Sequence, residues 1–455
     1  MDYLKISKLF LKISVLCVAI VTVSTLFPFI VGKYSWFRAS VDIALVFFCL
    51  GLIFQRNLEP IWDQFRRMFR SPLVWMVTLF IAVFLLACLF GVNPHWSFWS
   101  NFERGEGGFQ MVHLYVFFFL LVLLFREEKD WQSIMKWFLT GGFLMVLYGV
   151  AAGFKWSGFV GPAFGDSGYR FQGSIGNPAY VAIFAVFMVF YCLYLLFNRY
   201  RQNLKSAGAI TLFVLLAVFL ATFFAAATRG TFVGLIAAIV VFLGYFAYSH
   251  KAWRKRALLA GIVIITFVVI MGIFKDTKFV QSIPGSRVFD LSVTAQTFSD
   301  RVKIWNMAWN GFLARPVLGW GPENFIQVFY RYFTPDFFSP SVGFGAWFDR
   351  AHSFIFDYLA ETGALGFLSF AGIFVAFFWK FFRSQSQDAE TSFSRRPLLE
   401  RSLIFALPVA YLVQGLVLFD VLPIYMNIFF FMAFAVYLFQ SDQSPKKNSP
   451  QFRQS

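Results

Sequence analysis

Apolar runs of about 20 residues recur along nearly the whole chain, and at that length they limit the fold more than any other feature does. SPLVWMVTLFIAVFLLACLF, residues 71–90, is one of them. Inside hydrocarbon an isolated segment satisfies its own backbone N–H and C=O groups only as a helix. A β-barrel would instead show short segments of alternating polarity, a pattern this sequence lacks. With 59% apolar and only 14% charged residues, the 455-residue chain also carries more hydrophobic surface than a soluble core buries. The fold expected is therefore an all-α polytopic membrane protein. Residues 1–440 form a single integral membrane domain, and the polar tail 441–455 is a disordered cytoplasmic end.

Twelve transmembrane helices follow, near 9–31, 36–55, 73–91, 110–125, 134–153, 179–197, 209–227, 231–248, 257–274, 364–382, 402–419 and 423–440. The first lacks a convincing cleavage site and reads as a retained anchor. Its distribution of charge orients the chain. With the N-terminus in the cytoplasm, 25 of the 39 Lys and Arg fall on the inner side and 6 on the short outer connections, so both ends face the cytoplasm. The net charge of +16 thus reflects topology and attraction to anionic lipid, and gives no support to a nucleic-acid partner. Cys17, Cys49, Cys88 and Cys192 all lie within apolar spans and read as packing residues.

One connection breaks the pattern of short loops. Residues 275–351, between the ninth and tenth spans, form a large outer loop, and the chemistry is expected on that side. Within it, VTAQTFSDRVKIWNMAWNGFLARP predicts an amphipathic interfacial helix with Val302, Trp305, Trp309 and Phe312 on its apolar face, ended by Pro316. LGWGPENF then forces a tight turn. The loop returns to the membrane through DRAHSFIFDYLAETGALG, which carries His352.

The ordered set SNFERGEGG, YRFQGSIGNPAYVA, ATRGTFVGL, SDRVKIWNMAWNGFLARPVLGWGPENF and AHSFIFDYLAETGALG resembles the O-antigen ligase and polymerase superfamily of bacterial membrane glycosyltransferases. The last block fits the ligase pattern of a His followed eleven positions later by a Gly, here His352 and Gly363. The resemblance implies an undecaprenyl-diphosphate-linked glycan as donor and a lipid or protein acceptor for the glycan. Transfer would take place at the outer face of the cytoplasmic membrane, with inversion at the anomeric centre and no nucleotide, metal or other cofactor.

A departing diphosphate calls for fixed cations, and the planar fork of arginine suits phosphate oxygens. Arg229 stands out because ATRGT separates two apolar runs with almost no loop to solvate it; the competing reading is a cation snorkelling to headgroups. Arg301, Arg104 and Arg170 complete the expected donor-binding set. His352 is the expected catalytic base, weighed against a structural residue at a helix start. His95 and His113 are fallback candidates, whereas His250 reads as a surface residue on the cytoplasmic side. Asp349 would orient the imidazole were the re-entry helix to begin early, while Asp357 and Glu361 face away and serve as caps or helix contacts. The sequence has no Asp-x-Asp pair, which disfavours a metal-dependent glycosyltransferase. A polysaccharide polymerase, a protein O-oligosaccharyltransferase and a lipid-linked-glycan flippase remain the alternatives. A flippase would show related halves and broken helices at the midplane. The motif pattern of a shape, elongation and division type peptidoglycan polymerase is absent.

Overall fold

The computed structural model describes residues 2–55, 57–101, 104–283, 285–290, 296–335, 338–339, 343–344, 347–385 and 393–440. The expected disordered tail lies outside them. The described residues form α1 (Tyr3–Ser14), α2 (Val31–Phe54), α3 (Glu59–Met68), α4 (Pro72–Leu89), α5 (Pro94–Trp99), α6 (Gly108–Leu124), α7 (Glu128–Gly153), α8 (Pro178–Arg199) and α9 (Ala207–Ala226). They continue as α10 (Arg229–Ser249), α11 (Arg254–Ile273), α12 (Lys278–Gln281), α13 (Gln296–Ala314), α14 (Phe325–Arg331), α15 (Phe354–Arg383), α16 (Leu398–Gly415) and α17 (Leu422–Phe439). Four short 3-10 turns and a two-residue antiparallel pair, Phe338–Ser339 with Gly343–Phe344, are the remaining regular structure among them.

The chain is an all-α polytopic membrane protein. Ten of these helices are long and apolar enough to cross a bilayer: α2, α4, α7 to α11, and α15 to α17. The shorter α6, also apolar, occupies the fourth predicted span. The first predicted span is not one helix, which corrects the reading of 9–31. After α1 a 3-10 turn covers Val15–Ala19, and the next residues loop, with the Thr22 N–H bonded to Pro28 O at 2.9 Å. Buried Lys33 donates to Ile20 O at 2.7 Å and to Ser174 O, tying that loop to the 3-10 turn Gly173–Ile175 that precedes α8.

Helices gain little from hydrophobicity against lipid tails, so close packing and polar contacts hold them together. Gly234 of α10 lets the helix lie on α16, where an added Cβ would come within 2.7 Å of Ala410 O. α17 is the central post, buried on nearly every side, and Tyr191 of α8 donates to its Asn427 at 2.7 Å. α11 packs mainly on α10 and presents Leu259, Ile262 and Ile273 outward as a lipid-facing edge. At the end of the bundle where the expected cytoplasmic connections meet, Arg396 pairs with Glu128 and, at 3.0 Å, with Glu400, joining α7 to α16. The opposite end carries residues 275–351.

At that loop end α13 also buries an aliphatic stripe that the predicted interfacial face did not include. Ile304, Met307 and Ala308 are the buried stripe, packed with Phe325, Val328 and Trp320. Val302 and Trp309 are instead 47% and 45% exposed. Trp305 is half-buried and stacks on Phe356 of α15. The helix is apolar on two faces, and the aliphatic stripe, not the aromatic one, turns inward.

Candidate active site

Gly363 explains how the turn and the re-entry helix fit together. Its φ of +66° breaks α15, so the N–H groups of Ala364 and Leu365 leave the helix ladder and bond Pro316 O at 2.8 Å and Val317 O at 3.3 Å. The freed carbonyls of Ala360 and Glu361 accept from Trp320 N at 2.9 Å and Gly321 N at 2.8 Å. Four hydrogen bonds are thereby exchanged between helix and turn, and these four backbone groups keep partners across the break. Gly319 and Gly321, at φ +69° and +92°, let the turn approach closely.

This clasp delivers two carboxylates to one buried guanidinium. Arg350 pairs with Glu323, with Glu361 at 2.6 Å, and with Glu106 at 3.8 Å. Burial opposes its charge, but the surrounding carboxylates outweigh that and raise Arg350 well above its ordinary value. Glu106 is pushed up to about 8 by its burial, against the pull of Arg350, so near neutrality it retains a proton. Asp357 accepts from Ala351 N at 2.7 Å, the capping role expected of it.

His352 lies beside this cage, two residues before α15, with an unusual φ of +54°. Its Nδ1 is 3.1 Å from Arg350 O. A carbonyl only accepts, so Nδ1 carries the proton and Nε2 keeps its lone pair. Among the described residues Nε2 meets no hydrogen-bond partner within the protein. The ring sits edge-on to Phe348 and Phe419, at centroid distances of 5.4 and 5.1 Å. Burial first, and then the charges of Arg301 and Arg104, hold the imidazole below its ordinary value, although the Arg350 carbonyl and Asp349 pull the other way.

Asp349 does not orient the ring. α15 begins after His352, and both Asp349 oxygens accept from Arg104, at 2.6 and 2.8 Å. Burial opposes the charges of this pair, but its own hydrogen bonds outweigh that, raising Arg104 and lowering Asp349. Arg104 also lies 5.1 Å over Phe419, and it lines a cavity with Lys33, Glu106 and Tyr180. It is thus set apart from the other predicted arginines.

Those others converge. Arg170, Arg229 and Arg301 line a cavity of about 210 Å³ together with Arg287, Thr231 and Gln414. None of its described lining residues is acidic. Arg229 donates to Asp290 O at 3.0 Å and to its Oδ2 at 3.2 Å, and Lys275 holds the other carboxylate oxygen at 2.5 Å. Arg170 donates to Ala226 O and Thr228 Oγ1. Burial, then the charges of Arg287 and Arg229, push Arg170 down to about 10, and burial with Arg229 lowers Arg301. Like charges are crowded here around an empty space. Thr231 Oγ1 and both polar atoms of the Gln414 side chain are buried and meet no hydrogen-bond partner among the described residues. An anion with several oxygens would accept from the arginines, the Thr231 hydroxyl and Gln414 Nε2 together.

Residues 213–371 match the O-antigen ligase family. The matched stretch runs from α9 into α15 and contains Arg229, Arg287, Arg301, Glu323, Arg350, His352, Glu361 and Gly363. It supports the resemblance to the O-antigen ligase and polymerase superfamily, and with it a ligase or polymerase type of function in a multi-pass bacterial membrane protein. Arg104 and Arg170 precede the O-antigen ligase stretch. No curated protein matches the chain.

Sequence reasoning passed over Arg287, Arg350, Glu106 and Glu323. Three of them were within reach: Arg350 directly precedes AHSF, and Glu106 and Glu323 stand inside ERGEGG and GWGPEN. His113 bonds Phe109 O at 2.7 Å and Asp42 at 3.1 Å, a packing role in α6. His95 and His250 are exposed.

Proposed function

We propose that the protein transfers a glycan from undecaprenyl diphosphate to an acceptor hydroxyl of a lipid or protein, with the loop end facing the periplasm or cell exterior. The observation that carries this reading is the pairing of a half-buried His352, its Nε2 lone pair free, with an arginine cavity free of acidic lining residues. In this scheme the diphosphate occupies the cavity, held by Arg170, Arg229, Arg287 and Arg301, with Thr231 and Gln414 as neutral donors. Arg104, clamped by Asp349, supports the His352 side of the site rather than the diphosphate.

The acceptor oxygen loses its proton to His352 Nε2 as it attacks the anomeric carbon from the face opposite the diphosphate. The bond from that carbon to the phosphate oxygen breaks, and its electron pair leaves on the diphosphate. One displacement inverts the configuration, and the arginines meet the charge as it develops. No metal is required in this scheme, so transfer is expected to persist in EDTA.

His352→Gln tests it, because glutamine keeps size and hydrogen bonding but takes no proton. With lipid-linked donor purified from the native host, the variant should bind donor normally and turn it over about 10² to 10⁴ times more slowly. Transfer at the wild-type rate would remove His352 from the chemistry.

A further inference from the structure

A third cavity, of about 520 Å³, opens at the loop end and is more than twice the size of the arginine cavity. Trp96 and Trp347 line it, 40% and 50% exposed, together with the amides Asn93, Asn101, Asn324 and Gln327. Its described lining residues carry no charge.

The amides are held in place and only partly used. Asn93 Oδ1 accepts from Trp96 N at 3.0 Å, and Asn101 Oδ1 from Arg104 N at 2.7 Å. Asn324 Nδ2 donates to Ser97 Oγ at 2.6 Å. Each asparagine is therefore pinned by one atom. Nδ2 of Asn93, Nδ2 of Asn101 and Oδ1 of Asn324 have no protein partner among the described residues and are left to meet a ligand. Trp347 is steadied by its Nε1–H donating to Tyr330 OH at 3.1 Å.

From this arrangement we infer that the cleft binds the uncharged sugar chain of a glycan. A sugar ring offers a C–H face that packs on an aromatic ring, and hydroxyls that both donate and accept, which fixed amides match in both senses. The chemistry disfavours other occupants. An acyl chain would strand the amides in an apolar environment, and an anion would find no cation there. This inference rests on the glycan-transfer reading and supplies it with a subsite.

The cleft is tied to the reacting groups through short covalent and hydrogen-bonded links. Asn101 lies three residues before Arg104 and five before Glu106, both of which line the neighbouring cavity. Ser100 Oγ donates to Glu323 Oε2 at 2.8 Å, and Glu323 pairs with Arg350, whose carbonyl holds the His352 ring. A sugar chain seated on the tryptophans would thus extend from a rigid frame shared with the candidate base, so that subsite binding contributes to orientation at the reacting carbon.

The test is calorimetric titration of the full-length protein in nanodiscs with two probes from the native host. One is the oligosaccharide released by mild acid from its polyprenyl-linked lipids, which has lost the diphosphate; the other is oligosaccharide cleaved from its surface glycans. Binding of the first assigns the cleft to the donor's chain, and of the second to the acceptor's; either supports the inference. Trp96→Ala and Trp347→Ala, at partly exposed positions, should each weaken binding about tenfold, while His352→Gln leaves it unchanged. Wild-type protein that binds neither probe, or binding unaltered in both tryptophan variants, overturns the inference. Failure of the transfer reading shows separately, as wild-type turnover by His352→Gln with oligosaccharide binding intact.

Discussion

Replacing Gly363 with alanine attacks the site through a residue that touches no substrate in the scheme above. At φ +66° and ψ −167°, a conformation essentially reserved for glycine, an L-residue costs about 1–3 kcal/mol. The added Cβ would also stand 2.3 Å from Val317 O and 2.4 Å from Val317 C, backbone atoms that cannot swing aside. To make room the 316–321 turn must move away from α15, and the first bonds to go are those from Ala364 and Leu365 to Pro316 O and Val317 O. At about 1 kcal/mol net for each backbone hydrogen bond, their loss adds about 2 kcal/mol. The total, about 3–5 kcal/mol, is a large part of the 5–15 kcal/mol typical of folded domains. Gly244 is the control, because it lies within α10 with nothing inside 4 Å of an added Cβ, and alanine there should be neutral or favourable by up to about 1 kcal/mol. Thermal unfolding in detergent, read beside donor turnover, should show Gly363→Ala with a clearly lowered midpoint and slowed transfer, and Gly244→Ala with neither. Equal midpoints for the two variants would refute the clasp.

Two further outcomes follow from the charges around His352. A general base works in its neutral form, so wild-type activity should be flat at pH 7 and fall only as pH drops through the depressed imidazole value; Arg301→Gln removes one cause of that depression and should move the acid limb of kcat/KM to higher pH. An unmoved limb would mean that Arg301 and His352 are not coupled. Arg229→Lys keeps the charge but cannot bond Asp290 and a phosphate oxygen with one planar fork, so donor turnover should drop about 10²-fold; near-normal transfer would reduce Arg229 to a headgroup anchor.

The spans were legible because hydropathy and helical length are local properties, and eleven of the twelve expected apolar segments are single helices. The exception is instructive. Residues 9–31 are apolar enough, but Thr22 and Pro28 close a loop, the Ile20 carbonyl before it is met by Lys33, and hydropathy registers neither bond. The convergence of Arg170, Arg229 and Arg301 was anticipated on chemical grounds, because a diphosphate needs several cations. The Arg350 cage was not, since Glu106, Glu323 and Glu361 come from separate segments and meet only once the chain is folded. Arg104 lies apart from the other three predicted arginines for the same kind of reason: its carboxylate partner stands 245 residues away.

The arginines at the loop end therefore divide by what surrounds them, and the division suggests how the two halves of the site cooperate. Arg104 and Arg350 are spent on carboxylates and act as framework; Arg170, Arg287 and Arg301 face a cavity without an acidic lining residue, and Arg229 reaches it while sharing Asp290 with Lys275. The framework half ends in the carbonyl of Arg350, and that carbonyl fixes which imidazole nitrogen of His352 is free. Three carboxylates around one guanidinium would leave the cage negative and favour an imidazolium, but the proton retained on Glu106, the burial of the ring and the nearby Arg301 and Arg104 act in the opposite sense. A base kept neutral beside a cluster of cations is the arrangement the proposed displacement requires. Because the cage hangs on Glu361, two residues from the break at Gly363, loosening the clasp should impair proton transfer before donor binding. Gly363→Ala is accordingly expected to lower kcat more than it raises the KM for lipid-linked donor, and a pure KM effect would place the clasp with the arginine cavity instead.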